Sequence, residues 1–469
     1  MTELLLLVLL LPLCGCLFIL TTKKDNINAF NVAVFTLFAV ILLIVRLLQL
    51  QNMQMYDIEP YVIKWFKEYN AKLHFRADIY SLLLLLSVDI SLLIGAVGLT
   101  VKQRKNKTLM LAGVYLAWTF GGLFCAGDMI SFYIFFAAQL LPLFMLMGKF
   151  GNMRKNSSLS LFFIFNFAGI MLLLTAIILL YKFNQGNVLL TDITTIGLPP
   201  HLKLAVWSLI SLSFIIRIPI WPFHYWISSI SAGIKNPLVY IITVMLPLTG
   251  LYGFMRFWQY HIPQIVGSYV PVIAVFGILT MLFIAIIGTS HKDFLQKLFS
   301  YSTVYYLLFL LSDILLNGMY KLNIVYALFI FMIVNSSLAV LDLWSENACE
   351  ESNCGYHGIL VYMPRLSKII AFFVLIAVGL PVSSMFWNNF VLISAIFKAN
   401  FAVGLGIMIS ISMVGMALLY ELYVMSDLQT NYPATEITVE DISDRKLAFF
   451  IGVIILVFLS FFNPLWFII

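Results

Sequence analysis

Apolar runs of about 20 residues recur along nearly the whole 469-residue chain, and each is long enough for a helix to cross the hydrocarbon core of a membrane. Inside that core every backbone N–H and C=O group must be satisfied within the protein, which favours α-helices for runs of this length. Charged residues make up 10% of the chain, against about 25% in ordinary soluble domains. The sequence therefore predicts an all-α membrane protein, with residues 1–469 forming a single polytopic membrane domain.

Polar breaks divide the chain into about fourteen predicted spans. The seventh carries Pro219 and Pro222, and the twelfth is overlong and contains Gly379–Pro381, so both are expected to be discontinuous. Two discontinuous helices at separated positions predict inverted repeats with a transport path between them. The predicted spans are 3–21, 29–50, 77–101, 108–127, 129–149, 158–182, 203–227, 237–258, 267–289, 298–317, 321–344, 366–398, 402–426 and 446–468.

Lysine and arginine are concentrated in the loops after the third, fifth and ninth spans, and the ninth-span loop includes Lys292 and Lys297. Fourteen spans place these loops on one face, which predicts the matrix or bacterial cytoplasm there and both termini on the other face. The loop 51–76 conflicts with this orientation because it is also basic. The first 20 residues lack a basic leader and a clear cleavage site, so we interpret them as a span. The acidic segment 427–446 is an amphipathic helix or, as we favour, a connector.

Several kinds of site are not expected in this chain. Cys349 and Cys354 lie in a predicted acidic loop, but no His/Cys set at zinc spacing accompanies them, so ordinary thiols are predicted rather than a disulfide or a metal site. The net charge of +6 comes from loop lysines and does not indicate a nucleic-acid partner. Cys-x-x-Cys spacing and Gly-x-Gly-x-x-Gly before a helix are both absent, so no cofactor is expected here.

Arg217 lies beside two prolines and His224 in an otherwise apolar stretch. A charge at bilayer depth costs roughly 2.5–3.5 kcal/mol on insertion scales, so it usually faces the protein interior or a water-filled cavity. A charged, broken helix indicates an ion pathway, yet arginine does not release its proton at physiological pH. Arg217 is thus either a fixed charge that gates water or blocks cations, or a structural arginine paired with a carboxylate or with broken-helix carbonyls.

Other buried polar residues also have two interpretations. His224 is either a proton shuttle or a hydrogen-bonded histidine at the helix break. Asp89 and Glu421 are embedded in apolar runs, and their functional and structural interpretations stay open. Asp128 is expected to cap the fifth span. The sequence leaves open which carboxylate pairs with Arg217, and the candidates are Asp89, Glu421, Asp313 and Asp342, the last two expected at helix ends.

The order of several motifs resembles the antiporter-like membrane subunits of respiratory complex I and the related cation/proton antiporter subunits. The likeness covers about residues 75–425. It implies a place in a membrane arm, beside homologous antiporter-like subunits and far from redox centres. The matching stretches are SFYIFFAAQLLPLFMLMGKFGN (131–152), RIPIWPFHYWI (217–227), FSYSTVYYLLFLL (299–311) and VGLPVSSMFWNNFVLI (378–393).

The resemblance also implies a proton relay whose switchable groups are replaced in this chain. A relay needs groups that exist in two protonation states near the working pH. Gln139, near the fifth-helix glutamate position, is polar but does not titrate. The replaced positions are Ala137 for the fifth-helix glutamate, Arg217 for the seventh-helix lysine, Leu248 for the eighth-helix lysine, Tyr306 for a tenth-helix histidine and Asn389 for the twelfth-helix glutamate or lysine.

The leading hypothesis is a core membrane-arm subunit of a proton-pumping NADH:ubiquinone oxidoreductase, with a degenerate proton channel of its own. NADH, FMN, iron–sulfur clusters and ubiquinone would then be held by partner subunits, and this chain would contact the other membrane-arm subunits and membrane lipid. Two alternatives remain: a subunit of a multisubunit sodium/proton antiporter, and a purely structural paralogue. The composition favours the mitochondrial inner membrane, with the bacterial plasma membrane as the alternative.

Overall fold

A computed structural model describes most of the chain and shows a bundle of helices with one β-hairpin. The described residues are 2–22, 28–54, 61–66, 71–150, 156–183, 199–224, 226, 234–261, 263–352, 362–426 and 441–462. The elements are α1 (Thr2–Thr21), α2 (Asn28–Gln54), β1 (Tyr61–Phe66), β2 (Ala71–Phe75), α3 (Ile79–Gly98), α4 (Val101–Arg104), α5 (Lys107–Phe124), α6 (Met129–Ala138), α7 (Leu140–Phe150), α8 (Asn156–Phe183), α9 (Pro200–Arg217), α10 (Pro237–His261), α11 (Pro263–Ser290), α12 (Phe294–Leu315), α13 (Lys321–Ser352), α14 (Pro364–Val378), α15 (Ser384–Ala399), α16 (Phe401–Ser426) and α17 (Asp444–Leu459), followed by a 3-10 turn over Ser460–Phe462.

The helical membrane architecture is confirmed, but the predicted number of spans is not reproduced. Within the described ranges, 11 helices are long and apolar enough to cross a membrane, with α6 and α7 taken together as one. The three other predicted spans correspond to α9, which ends at Arg217, to the interrupted pair α14 and α15, and to the 16-residue α17. The predicted connector or amphipathic helix 427–446 lies mostly outside the described residues.

Both predicted helix discontinuities are present. α9 ends at Arg217, and Ile218 is extended (φ −84°, ψ 108°) because the following Pro219 disfavours helical geometry in the residue before it. α14 ends at Val378, and the residue that follows it, Gly379, has a φ of 120°, which is readily adopted only by glycine. The sequence did not predict a third break, between α6 and α7 at Gln139. Pro142 explains it, since proline has no N–H to donate to the carbonyl four residues earlier.

The loop predicted over 51–76 contains an antiparallel hairpin, β1–β2, in which Tyr61 pairs with Phe75. Its strands read YVIKWF and AKLHF, and their aromatic and β-branched content suits a strand. Asp128 fixes this hairpin to the start of α6. Its side chain accepts hydrogen bonds from the backbone N–H groups of Ser131 (2.7 Å) and His74 (2.7 Å). The predicted cap is therefore confirmed, and the same carboxylate holds the hairpin.

The core of the bundle is formed by α3, α10, α12 and α13, whose spans are almost entirely buried. α1, α2, α8 and α11 lie at the periphery, and fewer than half of the residues in each of these spans are buried. α13 is longer than expected and continues to Ser352. Asp342 therefore lies inside the helix rather than at its end, and Cys349 is helical rather than in a loop. Cys354 lies outside the described residues.

Close packing between α9 and α10 depends on Gly253. A Cβ atom at Gly253 would lie 2.5 Å from the ring of Phe214, which is fully buried and contacts four other phenylalanine rings. We expect Gly253→Ala to lower the free energy of unfolding by about 1–3 kcal/mol, measured by thermal unfolding in detergent. Gly452→Ala in α17 is the control, because no atom lies within 4 Å of its Cβ position. Equal losses in both variants would contradict this packing.

Candidate functional site

Arg217 is the last residue of α9, and its side chain is 1% exposed. Nη1 donates hydrogen bonds to Gln139 Oε1 (2.7 Å) and to Thr249 Oγ1 (2.8 Å). Nη2 donates to the carbonyl oxygen of Phe136 (2.8 Å), one of the last carbonyls of α6, which lack intrahelical partners. The guanidinium carbon also lies 3.6 Å from the centre of the Phe136 ring, a cation–π contact.

The hydrogen-bond partners of Arg217 are all neutral. Among the described residues no carboxylate lies within ion-pair distance of it. Pairing with a carboxylate, one of the interpretations offered by the sequence, is therefore wrong for the described part of the chain. A carbonyl partner is present, but it belongs to the broken fifth span rather than to the helix that carries Arg217. Arginine holds its proton at physiological pH, so among the described residues the guanidinium is a buried charge with neutral hydrogen-bond partners.

The break between α6 and α7 decides which fifth-span residue faces Arg217. Ala137, the position matched to the family glutamate, is half-buried, whereas Gln139 is fully buried and contacts the guanidinium. Sequence analysis matched the family glutamate to Ala137 and placed the polar Gln139 near it, and the structure shows that the Gln139 side chain contacts the guanidinium. Pro142 was the sequence signal for a break one turn before it.

Leu248 occupies the eighth-helix lysine position and is 0% exposed on α10. One turn earlier, the carbonyl oxygen of Val244 accepts a hydrogen bond from the hydroxyl of Tyr306 (2.8 Å), which occupies the tenth-helix histidine position. A tyrosine hydroxyl ordinarily titrates near pH 10. Neither Leu248 nor Tyr306 therefore supplies a group that changes protonation near neutral pH.

A polar cluster lies on one side of this position, among α10, α12 and α13. The hydroxyl of Tyr240 donates to Asn335 Oδ1 (3.2 Å), and Asn335 Nδ2 donates to Ser302 Oγ. Ser302 precedes Tyr306 by one turn of α12.

A second polar cluster lies beyond Leu248, toward the other ends of α10 and α12. Arg256 forms an ion pair with Asp78 (2.5 Å), and Lys321 Nζ donates to the Met255 carbonyl (2.9 Å). Leu248 and Leu310, each one turn beyond the Val244–Tyr306 contact, are 0% exposed. Leu248 lies between these two polar clusters along α10, at the position that the motif comparison matches to the family lysine.

Asn389, the twelfth-helix position, lies in α15 and is buried. Its side-chain Oδ1 has no hydrogen-bond partner within the described residues. Its neighbour Asn388 accepts a hydrogen bond from Asn323 Nδ2 (2.9 Å), which joins α13 to α15. An amide orients water or a neighbouring donor, but it does not carry a proton at physiological pH.

His224 lies in the turn after the α9 break, half-buried, with its ring 5.3 Å from that of Phe283. Its Nδ1 has no hydrogen-bond partner in the part of the chain that the structure covers. The segment after the break is held to α9 by Trp226, whose Nε1 donates to the Ile216 carbonyl (3.0 Å). None of the described hydrogen bonds joins His224 to Arg217.

The remaining candidate carboxylates lie apart from Arg217. Glu421 in α16 forms a buried ion pair with Lys297. Lys297 was predicted in a loop, but α12 begins at Phe294 and buries it in the first turn. Asp89 in α3 is 1% exposed, and neither of its carboxyl oxygens has a hydrogen-bond partner among the described residues. Asp313 lies near the end of α12, as predicted.

Comparison with known proteins confirms the resemblance. The family described as NADH:quinone oxidoreductase/Mrp antiporter, TM matches residues 126–415. NADH-ubiquinone oxidoreductase chain 4 of Marchantia polymorpha is 25% identical over 348 residues, covering 72% of this chain and 69% of that protein. NADH-quinone oxidoreductase subunit M of Rickettsia typhi is 23% identical over 407 residues, covering 83% and 81%. A chain of respiratory complex I from Thermus thermophilus shares the fold, with a TM-score of 0.85, 20% identity and coverage of 97% and 95%.

Proposed function

The chain belongs to the NADH:quinone oxidoreductase/Mrp antiporter membrane family, and we propose that it is a core membrane-arm subunit of a proton-pumping NADH:quinone oxidoreductase whose own proton channel is interrupted. The relatives named chain 4 and subunit M support this assignment. The chain would act as one subunit of the enzyme and carry out no redox chemistry itself. NADH, FMN, iron–sulfur clusters and ubiquinone would be bound by its partners.

The main observation in support of an interrupted proton channel is that the described hydrogen-bond partners of Arg217 are neutral. A lysine in a buried site shifts its proton affinity strongly when a carboxylate moves toward or away from it. Here the cation is an arginine, and its neighbours Gln139 and Thr249 carry no charge to move. Leu248 and Leu310 are apolar and carry no group that accepts a proton.

Arg217 would instead act as an electrostatic barrier. Its charge is buried, and no carboxylate among the described residues pairs with it. Charges in a low-dielectric interior interact far more strongly than in water. Fixed positive charges exclude protons and cations from other membrane pores in the same way. The interruption thus has two parts, a missing relay and a repulsive charge.

Proton stoichiometry tests this proposal. We expect the purified complex, reconstituted into liposomes, to move fewer protons per NADH oxidised than a complex whose homologous subunit keeps the acids and amines of the relay. Arg217→Gln should leave that ratio unchanged, because Arg217 carries no proton in turnover. The control is a lysine-to-glutamine replacement in a neighbouring antiporter-like subunit. This replacement should lower the number of protons moved per NADH. The interruption would be contradicted if the complex moved as many protons per NADH as one with an intact relay, or if Arg217→Gln lowered that number.

The antiporter alternative rests on the same family, which also includes Mrp antiporters. Co-purification separates the two proposals. Quinone-reductase chains in the purified assembly support the first, and small antiporter subunits without redox groups support the second. The chain is a multi-pass membrane protein, and we propose the mitochondrial inner membrane as its location, with the bacterial plasma membrane as the alternative.

A further inference from the structure

The helices from α6 to α10 supply no acidic residue to balance the charge of Arg217. The sequence has no Asp or Glu from residue 129 to 183 or from 193 to 261, and these two stretches include all five helices. Among the described residues no carboxylate pairs with the guanidinium. A buried charge without a counter-charge is strongly unfavourable. An anion from outside the protein is therefore a suitable counter-charge for Arg217.

Three buried polar atoms on or beside the Arg217 side chain have no hydrogen-bond partner among the described residues: Arg217 Nε, Gln139 Nε2 and Ser213 Oγ. Gln139 Oε1 accepts from Nη1 at 2.7 Å, so the amide nitrogen of the same side chain lies within about 5 Å of Nη1. Ser213 precedes Arg217 by one turn of α9, and a helical side chain lies over the turn that precedes it. All three groups carry a hydrogen that they are able to donate, which suits an anion and not a cation.

The surroundings of Arg217 are tightly packed and favour a small anion. A Cβ atom at Gly250 would lie 3.0 Å from Arg217 Cβ, so the backbone of α10 runs directly against the base of the arginine side chain. On α8, a Cβ atom at Gly169 would lie 3.3 Å from the Ser213 carbonyl oxygen. The Phe136 ring covers one face of the guanidinium. A monatomic ion needs less room than a polyatomic one, and a monovalent ion loses less hydration energy on burial than a divalent one.

We propose that Arg217 binds a small monovalent inorganic anion such as chloride, with the Gln139 amide and the Ser213 hydroxyl as additional donors. Hydrogen bonds to a charged group are shorter and roughly twice as strong as neutral ones, and they are electrostatically stronger in the protein interior than in water. The bound anion would offset the repulsion that Arg217 exerts on cations, but it would not replace the missing relay. The anion site therefore does not depend on whether the proton channel is interrupted.

Equilibrium dialysis of the full chain with its co-purifying subunits against radiolabelled chloride tests the site directly. We expect Arg217→Gln to hold fewer chloride ions per complex than the parent. Ser213→Ala removes a single donor and should weaken chloride affinity about ten-fold. Ser208→Ala is the matched control, because Ser208 lies on the same helix and its hydroxyl donates to the Ala205 carbonyl. The chloride affinity of this control should equal that of the parent.

Thermal unfolding gives a second measurement for each variant. A ligand that binds only the folded state raises the unfolding temperature as its concentration increases. At constant ionic strength, we expect chloride and bromide to stabilise the parent more than gluconate or sulfate does. Arg217→Gln should unfold at the same temperature in all four anions, and cooperative unfolding of this variant in gluconate separates lost binding from lost folding.

The site would be overturned if the parent bound no chloride, or if Arg217→Gln and Ser213→Ala bound chloride as tightly as the parent. Displacement of labelled chloride by sulfate as readily as by bromide would overturn the assignment to a small monovalent anion. Neither measurement counts translocated protons. Failure of the anion site therefore leaves the interrupted channel untouched, and an intact proton stoichiometry leaves the anion site untouched.

Discussion

Leu248→Lys is expected to lower the free energy of unfolding by roughly 3 kcal/mol, the cost of a lysine at the centre of a membrane helix. Leu248 is fully buried on a helix that is buried along its whole span. The introduced ammonium group would lie one turn from the Val244 carbonyl, which already accepts a hydrogen bond from the Tyr306 hydroxyl. Thermal unfolding of the detergent-solubilised protein measures the loss.

Leu248→Met is the control for this variant, because it keeps the volume and the apolar character and should cost less than about 1.5 kcal/mol. A lysine tolerated as well as methionine would mean that water already reaches position 248. If Leu248→Lys also raised the number of protons moved per NADH, one substitution would be enough to restore the proton path. The proposed barrier at Arg217 would then be wrong.

The second large effect is expected at the buried ion pair between Lys297 and Glu421. Their side chains are 4% and 3% exposed, so removing one partner leaves the other charge buried without compensation. We expect Lys297→Met or Glu421→Leu alone to cost about 3–5 kcal/mol, and the two together to cost far less, because a buried pair replaced by apolar groups is often neutral.

The exposed pair between Arg365 and Asp444 is the matched control, with side chains 54% and 89% exposed. Arg365→Gln should change the free energy of unfolding by no more than about 1 kcal/mol. If the double variant at 297 and 421 were as unstable as either single one, the pair would not be the source of the loss.

The features that sequence analysis predicted well depend on local chemistry. Pro219 and Gly379 fix the breaks of α9 and α14 through their own backbone geometry, and Asp128 caps the residues that directly follow it. Long apolar runs predict helices because the membrane leaves no other way to satisfy the backbone. The hairpin after α2 was missed because its strands are short and lie between far stronger helical signals.

The composition of the site could not be predicted in the same way. Arg217, Leu248 and Tyr306 were identified from motifs, but the partners of Arg217 come from helices distant in sequence. Gln139 reaches it from the break after α6, and Lys297 pairs with Glu421 of α16. Such pairings depend on how helices pack, and a single sequence does not contain that information.

The short helix α6 forms hydrogen bonds at both of its ends, with a carboxylate at the start and a guanidinium at the end. At its start, the Asp128 carboxylate accepts a hydrogen bond from the backbone N–H of His74 in the β-hairpin. At its end, the Phe136 carbonyl and the Gln139 side chain accept hydrogen bonds from the Arg217 guanidinium. α6 is ten residues long. It therefore connects the β-hairpin to the buried arginine through a single short helix, and a change in the position of the hairpin would reach Arg217 by this route.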